Sequence, residues 1–163
     1  MTSKIRLPKP PPEPPSNRVR VMVVDDHEVV RSGFKASLSV MPDLELVGEA
    51  ASGEEAIVRC ELLKPDVVLM DLAMPGMDGV SATRTIRSKY PLVKVLGLTS
   101  FEQDELVQDA LRAGAVGYLM KTVTAGELAA AIHAACEGTM HRSPEAAQAR
   151  PQATAKSREG EPG

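Results

Sequence analysis

The 163-residue chain contains no tryptophan and only two phenylalanines and two tyrosines. Its hydrophobic fraction of 43% must therefore come mainly from Val, Leu, Ile, Met and Ala. So few aromatic rings argue against a stacking platform for single-stranded nucleic acid. The length predicts one domain that can bury an ordinary core without disulfides.

Cysteine is scarce as well. Cys60 and Cys136 lie far apart in segments with helical periodicity, and they form no CxxC spacing. This pattern predicts two buried free thiols rather than a disulfide or a metal-binding pair.

Long apolar runs are also missing. No run approaches the length that crosses a membrane, and the N-terminal residues are rich in proline where a secretory signal would need an apolar block. We therefore expect a cytoplasmic protein without a membrane partner.

Charge is unevenly distributed along the chain. The net charge is −3, residues 1–18 contribute +3 and residues 139–163 contribute +1, so residues 19–138 carry −7. An acidic body is a poor non-specific binder of nucleic acid. We therefore expect no direct nucleic-acid binding by this chain.

The two ends differ from the middle in composition. Residues 1–18, with PKPPPEPP at their centre, predict a disordered Pro-rich tail. Residues 139–163 predict a second disordered tail that is polar. Residues 19–138 are then the single folded domain.

Apolar runs alternate with helical periodicities in this middle part. Five short runs predict strands, each followed by a stripe of apolar residues at helical spacing: Val19–Val24, Leu44–Val47, Val67–Met70, Val93–Leu98 and Val116–Met120. Strands that are apolar on both faces and alternate with helices predict an α/β fold with a parallel sheet between two helical layers. Polar sites in such sheets collect at the carboxyl ends of the strands.

Polar side chains follow four of the five predicted strands. They are Asp25 and Asp26 after the first strand, Asp71 after the third, Thr99 after the fourth and Lys121 after the fifth. Three converging carboxylates need a cation, and hard oxygen ligands favour Mg²⁺. The pattern predicts a Mg²⁺ site beside a phosphoryl acceptor.

Each of these groups has a use in phosphoryl transfer. The Asp71 carboxylate can attack phosphorus, because a Pro- and Gly-containing loop follows it and lets a donor approach. The metal would be held by Asp25 and Asp26, Lys121 would neutralise phosphoryl charge, and the Thr99 hydroxyl would bind a phosphoryl oxygen.

The chain resembles the receiver domain of bacterial two-component response regulators. The resemblance covers roughly residues 18–138 and rests on the adjacent aspartates, Asp71 followed by LAMPGMDG, Thr99, and Tyr118 three residues before Lys121. The stretches DDHEVVRSG and ALRAGAVGYLMK are similar to the NarL/FixJ-like subgroup in particular.

This resemblance implies a flavodoxin-like, doubly wound (βα)5 sheet with strand order 2-1-3-4-5. It implies a phosphorylation-dependent signalling switch in which a partner histidine kinase phosphorylates Asp71. Beyond its own phosphorylation and dephosphorylation, such a domain is not an enzyme. The oligomeric state stays open, with a homodimer as one form.

The resemblance also implies roles for individual residues. A metal would be bound by Asp26, Asp71 and the backbone carbonyl of Ala73, while Asp25 acts more remotely. Thr99 and Tyr118 would form a switch that remodels the face built by the fourth helix and the fifth strand.

Three features depart from the family pattern. No periodic segment follows Gly138, where most members of the subgroup continue into a helix-turn-helix domain. Thr122 follows the lysine where many receivers have proline, which leaves the usual cis peptide in doubt. Ala73 is small, and our hypothesis is that it admits water and shortens the phosphoryl lifetime.

Other functions remain open at this point. The chain could be a truncated or partner-dependent transcriptional regulator whose DNA-binding half is missing. An aspartate-based phosphohydrolase would place a DxD pattern after the first strand, whereas Asp25 and Asp26 are adjacent. A flavin binder would need aromatic residues in the strand-end loops, and only Phe101 is there.

Two further polar residues have structural interpretations. His27 could suggest a phosphohistidine, but a histidine at a helix start is more often a capping or solvent-facing residue. Asp78 is predicted to cap the third helix.

Overall fold

The computed structural model of the chain describes residues 18–100 and 104–138. Apart from Arg18, both predicted tails lie outside the described residues, as does Phe101. Within the described part, five strands alternate with five helices: β1 Val19–Val24, α1 Glu28–Ser39, β2 Leu44–Ala50, α2 Gly53–Leu63, β3 Val67–Asp71, α3 Gly79–Lys89, β4 Lys94–Thr99, α4 Asp104–Ala113, β5 Gly117–Met120 and α5 Ala125–Cys136.

The five strands form one parallel sheet in the order β2-β1-β3-β4-β5. This confirms the predicted flavodoxin-like (βα)5 fold and its strand order 2-1-3-4-5. The strand order reverses between β1 and β3, so the loops after these two strands diverge and leave a crevice at the carboxyl edge of the sheet.

The sheet separates two apolar layers. On one face, alternate residues of the central strands pack with α2, α3 and α4, and on the other face they pack with α1 and α5. Strand β3 is buried along its whole length, which explains why its sequence is apolar without alternation.

Local signals in the sequence set several helix ends. The Ser52 hydroxyl accepts a hydrogen bond from the Glu55 amide at the start of α2. Thr124 and Glu127 form a reciprocal capping box at the start of α5. Helix α2 ends at Leu63, because the next residue, Lys64, has a left-handed φ of 49° that cannot continue the helix.

One expectation about the core is wrong. Cys60 is buried as predicted, but Cys136 is exposed. Cys136 is the last residue of α5, and its side chain faces solvent.

Among the described residues, none of the helices combines the length and the apolar character that crossing a membrane requires.

Candidate functional site at the carboxyl edge of the sheet

Four polar side chains meet at the carboxyl edge of the sheet. Asp71 is the last residue of β3, Asp25 and Asp26 directly follow β1, and Lys121 directly follows β5. The three aspartates offer carboxylate oxygens that lie within 4.8 Å of one another. Residues distant in sequence therefore form one cluster, as the strand-end pattern predicted.

Lys121 links two of these carboxylates. Its Nζ atom lies 2.7 Å from Oδ2 of Asp25 and 3.3 Å from Oδ1 of Asp71. The Lys121 amide donates a 2.8 Å hydrogen bond to the Thr99 carbonyl, which fixes the start of the side chain relative to β4. Burial lowers the pKa of Lys121, but the Asp25 and Asp71 carboxylates raise it by more, so the net pKa is raised.

The two oxygens of Asp71 have different surroundings. Oδ1 accepts a 3.1 Å hydrogen bond from the Ala73 amide and lies beside Lys121. Oδ2 is buried and makes no hydrogen bond within the described residues. Burial raises the pKa of Asp71, the Ala73 amide lowers it, and the Asp25 carboxylate adds to the increase. The carboxylate is thus held at one oxygen and lacks a hydrogen-bond partner among the described residues at the other.

The donor set fits a divalent cation. Oδ1 of Asp26 is buried and, like Oδ2 of Asp71, makes no hydrogen bond within the described residues. A buried carboxylate oxygen without a hydrogen-bond partner is costly unless a cation compensates it. Asp25 is already engaged, because Lys121 lies at Oδ2 and the His27 amide donates to Oδ1 at 2.8 Å.

His27 and Arg31 also belong to this edge, and the sequence interpretation gave neither of them a site role. His27 occupies the N-cap position of α1, where its side chain makes no capping hydrogen bond and is largely exposed, so the solvent-facing alternative is the one observed. Arg31 donates through Nη1 to the Asp25 carbonyl at 2.7 Å and through Nε to Glu49 at 2.9 Å. An arginine in the first turn of an amphipathic helix looks like an ordinary solvent-facing residue, so no sequence signal identified it.

Helix α3 begins very close to Asp71. An added Cβ at Gly79 would collide with the Asp71 backbone carbonyl and lie 2.7 Å from Cα of Leu72. Only glycine therefore fits where the loop after β3 turns into α3. Asp78 caps this helix as predicted, since its side chain accepts a 2.8 Å hydrogen bond from the Ser81 amide.

The two predicted switch residues lie on neighbouring strands. Thr99 ends β4 and is 4% exposed, and Tyr118 lies in β5 and is 5% exposed. The Tyr118 side chain belongs to the apolar layer that includes Val107 and Ala110 of α4. The peptide bond before Thr122 is trans, like every other peptide bond of the described residues.

The family model described as "Response regulator receiver domain" matches residues 21–133. Among curated proteins, the response regulator protein VraR of Staphylococcus aureus (strain Mu3 / ATCC 700698) is 48% identical over 127 residues. The match covers 78% of this chain and 61% of VraR. The chain thus spans about three fifths of the length of the curated relatives it matches.

Two solved structures have the same fold and substantial identity. A LuxR-family two-component response regulator from Aurantimonas sp. SI85-9A1 is 37% identical with a TM-score of 0.76, over 80% of this chain and 94% of that one. The receiver domain of the putative response regulator NarL from Mycobacterium tuberculosis is also 37% identical, with a TM-score of 0.70, over 75% of this chain and 98% of that one. The chain therefore belongs to the response regulator receiver domain family of two-component systems.

Proposed function

We propose that the chain is a phosphorylation-dependent switch that accepts a phosphoryl group on Asp71 from a partner histidine kinase. The observation that carries the proposal is the unequal environment of the two Asp71 oxygens. One is held by the Ala73 amide and by Lys121, and the other is buried without a hydrogen-bond partner among the described residues. Such a carboxylate is oriented and incompletely compensated, which suits a nucleophile.

Mg²⁺ is the cation we assign to the acidic cluster. Receiver domains bind Mg²⁺ in an acidic pocket, and Asp26 and Asp71 each offer a buried oxygen that makes no hydrogen bond within the described residues. The backbone carbonyl of Ala73 is the third protein ligand in this proposal. When bound, the ion would supply positive charge that offsets the negative charge of the phosphoryl group during its transfer from the kinase imidazole nitrogen to an Asp71 oxygen.

The chain's own residues carry the remaining roles. The Asp71 carboxylate attacks phosphorus and the kinase imidazole leaves, which gives an acyl phosphate. Lys121 lies between Asp25 and Asp71, so its ammonium group neutralises charge on the phosphoryl oxygens. The Thr99 hydroxyl then binds one of these oxygens, and the side chain of Tyr118 on the adjacent strand changes its packing.

Phosphorylation is signalled to the target protein by a structural change in the surface that this protein binds. Thr99 lies on β4 and Tyr118 on β5, which are neighbours in the sheet, and α4 connects these two strands in the chain. A shift of Thr99 towards a phosphoryl group therefore changes how Tyr118 packs against α4. The face formed by α4 and β5 is the surface that we assign to the target protein.

The proposal is tested by the intact mass of the full chain after incubation with acetyl phosphate and Mg²⁺. A single phosphoryl adduct is expected, and it should be missing when EDTA removes the metal and in the Asp71→Asn variant. Asp109→Asn, a half-buried position on α4, is the matched control and should be phosphorylated like the wild type. An adduct on Asp71→Asn would show that another residue is the acceptor.

A further inference from the structure

The imidazole of His27 lies at the entrance to the acidic cluster. Its Nδ1 atom is 3.0 Å from Oδ1 of Asp25 and 3.3 Å from Oδ1 of Asp26. The side chain is 65% exposed, whereas Asp25 is fully buried. The ring nitrogen thus contacts the carboxylates from the side that a cation in solution would approach.

The spacing of the donor atoms fits a single small cation. One ligand atom from each of Asp25, Asp26, His27 and Asp71 can be chosen so that all four lie within 4.8 Å of one another. Around an octahedral ion with ligands at about 2.1 Å, neighbouring ligand atoms are about 3 Å apart and opposite ones about 4.2 Å apart. The distances from Nδ1 of His27 to the Asp25 and Asp26 oxygens, 3.0 Å and 3.3 Å, are close to the spacing of neighbouring ligands around such an ion.

Two aspartates of this cluster each have a buried oxygen without a hydrogen-bond partner in the described part of the chain. Oδ1 of Asp26 and Oδ2 of Asp71 make no hydrogen bond within the described residues, and Asp71 is about 1% exposed. These oxygens would complete a mixed nitrogen and oxygen ligand set with His27. The backbone amide of His27 donates to Asp25 at 2.8 Å, which anchors the residue beside the carboxylates.

A nitrogen ligand changes which metals such a site selects. Carboxylate and water ligands suit Mg²⁺, whereas imidazole suits Zn²⁺, Co²⁺ and Ni²⁺. We propose that Nδ1 of His27 is a metal ligand that enables the acidic site to bind a divalent transition-metal ion of this class in competition with Mg²⁺. The proposal rests on the acidic metal site of the proposed function and adds a second class of ion to it.

Binding of such an ion requires an unprotonated Nδ1. The neutral ring with its hydrogen on Nε2 provides that lone pair. The competing arrangement is an imidazolium ring that donates a hydrogen bond from Nδ1 to Asp25, pairs by charge with Asp26 and ligates nothing. The two arrangements predict opposite effects when the ring is removed, because losing a ligand weakens transition-metal binding whereas losing a positive charge strengthens the binding of any cation.

Isothermal titration calorimetry of the full, untagged chain with Co²⁺ and separately with Mg²⁺ distinguishes them. The test variant is His27→Gln. The matched control keeps His27 and replaces the chain's two other histidines, His133→Gln with His141→Gln. We expect the Co²⁺ dissociation constant to rise about tenfold or more in His27→Gln, and to stay at the wild-type value in the control. The Mg²⁺ dissociation constant should not rise in His27→Gln.

Two spectroscopic readouts report ligation directly. The visible absorption of bound Co²⁺ should change in His27→Gln but not in the control. Zn²⁺ should shift the NMR signal of Nδ1 of His27 more than that of Nε2. If the ring only stabilises the loop, the Co²⁺ absorption should not change in His27→Gln, and Zn²⁺ should not shift the NMR signal of Nδ1 more than that of Nε2.

Three results separate this inference from the proposed function. Equal Co²⁺ affinity in wild type and His27→Gln, with Mg²⁺-dependent phosphorylation intact, would overturn the inference and leave the proposed function standing. His27-dependent Co²⁺ binding without any phosphorylation would support the inference and contradict the proposed function. Absence of binding by either metal would overturn the inference together with the metal site of the proposed function.

Discussion

The Nζ atom of Lys121 lies 2.7 Å from Oδ2 of Asp25 and 3.3 Å from Oδ1 of Asp71. The cation at the end of β5 is thus held mainly by the buried aspartate after β1. It can pair with Asp71, or with a group attached to Asp71, without losing its first partner. This geometry explains how Lys121 can neutralise negative charge at Asp71 while it stays bound to Asp25.

Replacing this lysine should affect both stability and phosphorylation. Lys121→Met leaves the buried Asp25 and Asp71 carboxylates without their cation, which should lower the free energy of unfolding by about 3 kcal/mol. The phosphorylation rate should fall about 100-fold, because one stabilising charge is lost from the transition state. Urea unfolding and the rate of adduct formation with acetyl phosphate measure the two effects.

Lys35→Met is the matched control, since Lys35 is exposed on α1. It should change neither quantity. A Lys121→Met variant as stable as the wild type would show that the ammonium group is not what compensates the buried aspartates.

The negative charge on Asp71 should lower the free energy of unfolding at neutral pH. Burial raises the pKa of Asp71 above its ordinary value, against the opposing hydrogen bond from the Ala73 amide. A carboxyl with a raised pKa in the folded state binds its proton more tightly when folded, so stability falls as the pH rises through that pKa. Without Mg²⁺, Asp71→Asn should therefore unfold at a higher temperature than the wild type at pH 7 to 8.

This difference should shrink as the pH is lowered towards the ordinary pKa of aspartate, because the wild-type carboxyl then becomes neutral too. Thermal unfolding by circular dichroism across this pH range provides the comparison. A gap that is independent of pH would mean that Asn stabilises the fold by some means other than the removal of a charge.

How much of this was predictable from sequence depends on the kind of contact. The apolar runs of β1 and β3 predicted a parallel sheet, and parallel strands bring their carboxyl ends together, so Asp25, Asp71 and Lys121 could be placed at one edge. Strand β2 was predicted to end at Val47, but it runs to Ala50 because β1 pairs with it that far. Gly48 and the polar Glu49 interrupt the apolar run, so the sequence pattern did not predict these last residues of the strand.

The finer structure of the site could not be predicted from sequence. Whether Lys121 lies nearer to Asp25 or to Asp71 depends on side-chain geometry that no spacing encodes. The same is true of Arg31, whose bond to the Asp25 carbonyl exists only once α1 packs beside β2.

The glycine at the start of α3 should be essential for the position of Asp71. A methyl group at Gly79 would collide with the Asp71 carbonyl, so Gly79→Ala must displace either the acceptor or the helix. We expect a loss of about 1–3 kcal/mol in the free energy of unfolding and slower phosphorylation in the variant. Chemical denaturation and adduct formation are again the measurements.

Gly33→Ala is a suitable control, because nothing lies within 4 Å of an added Cβ at this helical position. Alanine there should stabilise α1 by up to about 1 kcal/mol and leave phosphorylation unchanged. If Gly79→Ala behaved like Gly33→Ala, the close approach of α3 to Asp71 would matter neither for stability nor for phosphorylation.

The side chain two residues after Asp71 should influence how long the phosphoryl group lasts. Ala73 is exposed and its amide donates to Oδ1 of Asp71, and our hypothesis is that its small side chain lets water reach a phosphoryl group on Asp71. Ala73→Asn adds bulk there and should slow dephosphorylation severalfold. The decay of the phosphorylated species on a phosphate-affinity gel gives the rate, and an unchanged rate would refute the hypothesis.

The central claim is that Asp71 carries the phosphoryl group. Reduction of the phosphorylated chain with borohydride converts an aspartyl phosphate to homoserine, and peptide mass spectrometry then identifies the modified position. The account predicts homoserine at position 71 and at no other aspartate, and only in samples that contained both Mg²⁺ and the phosphodonor. Homoserine at position 25 or 26, or a folded protein without any modified aspartate, would contradict it.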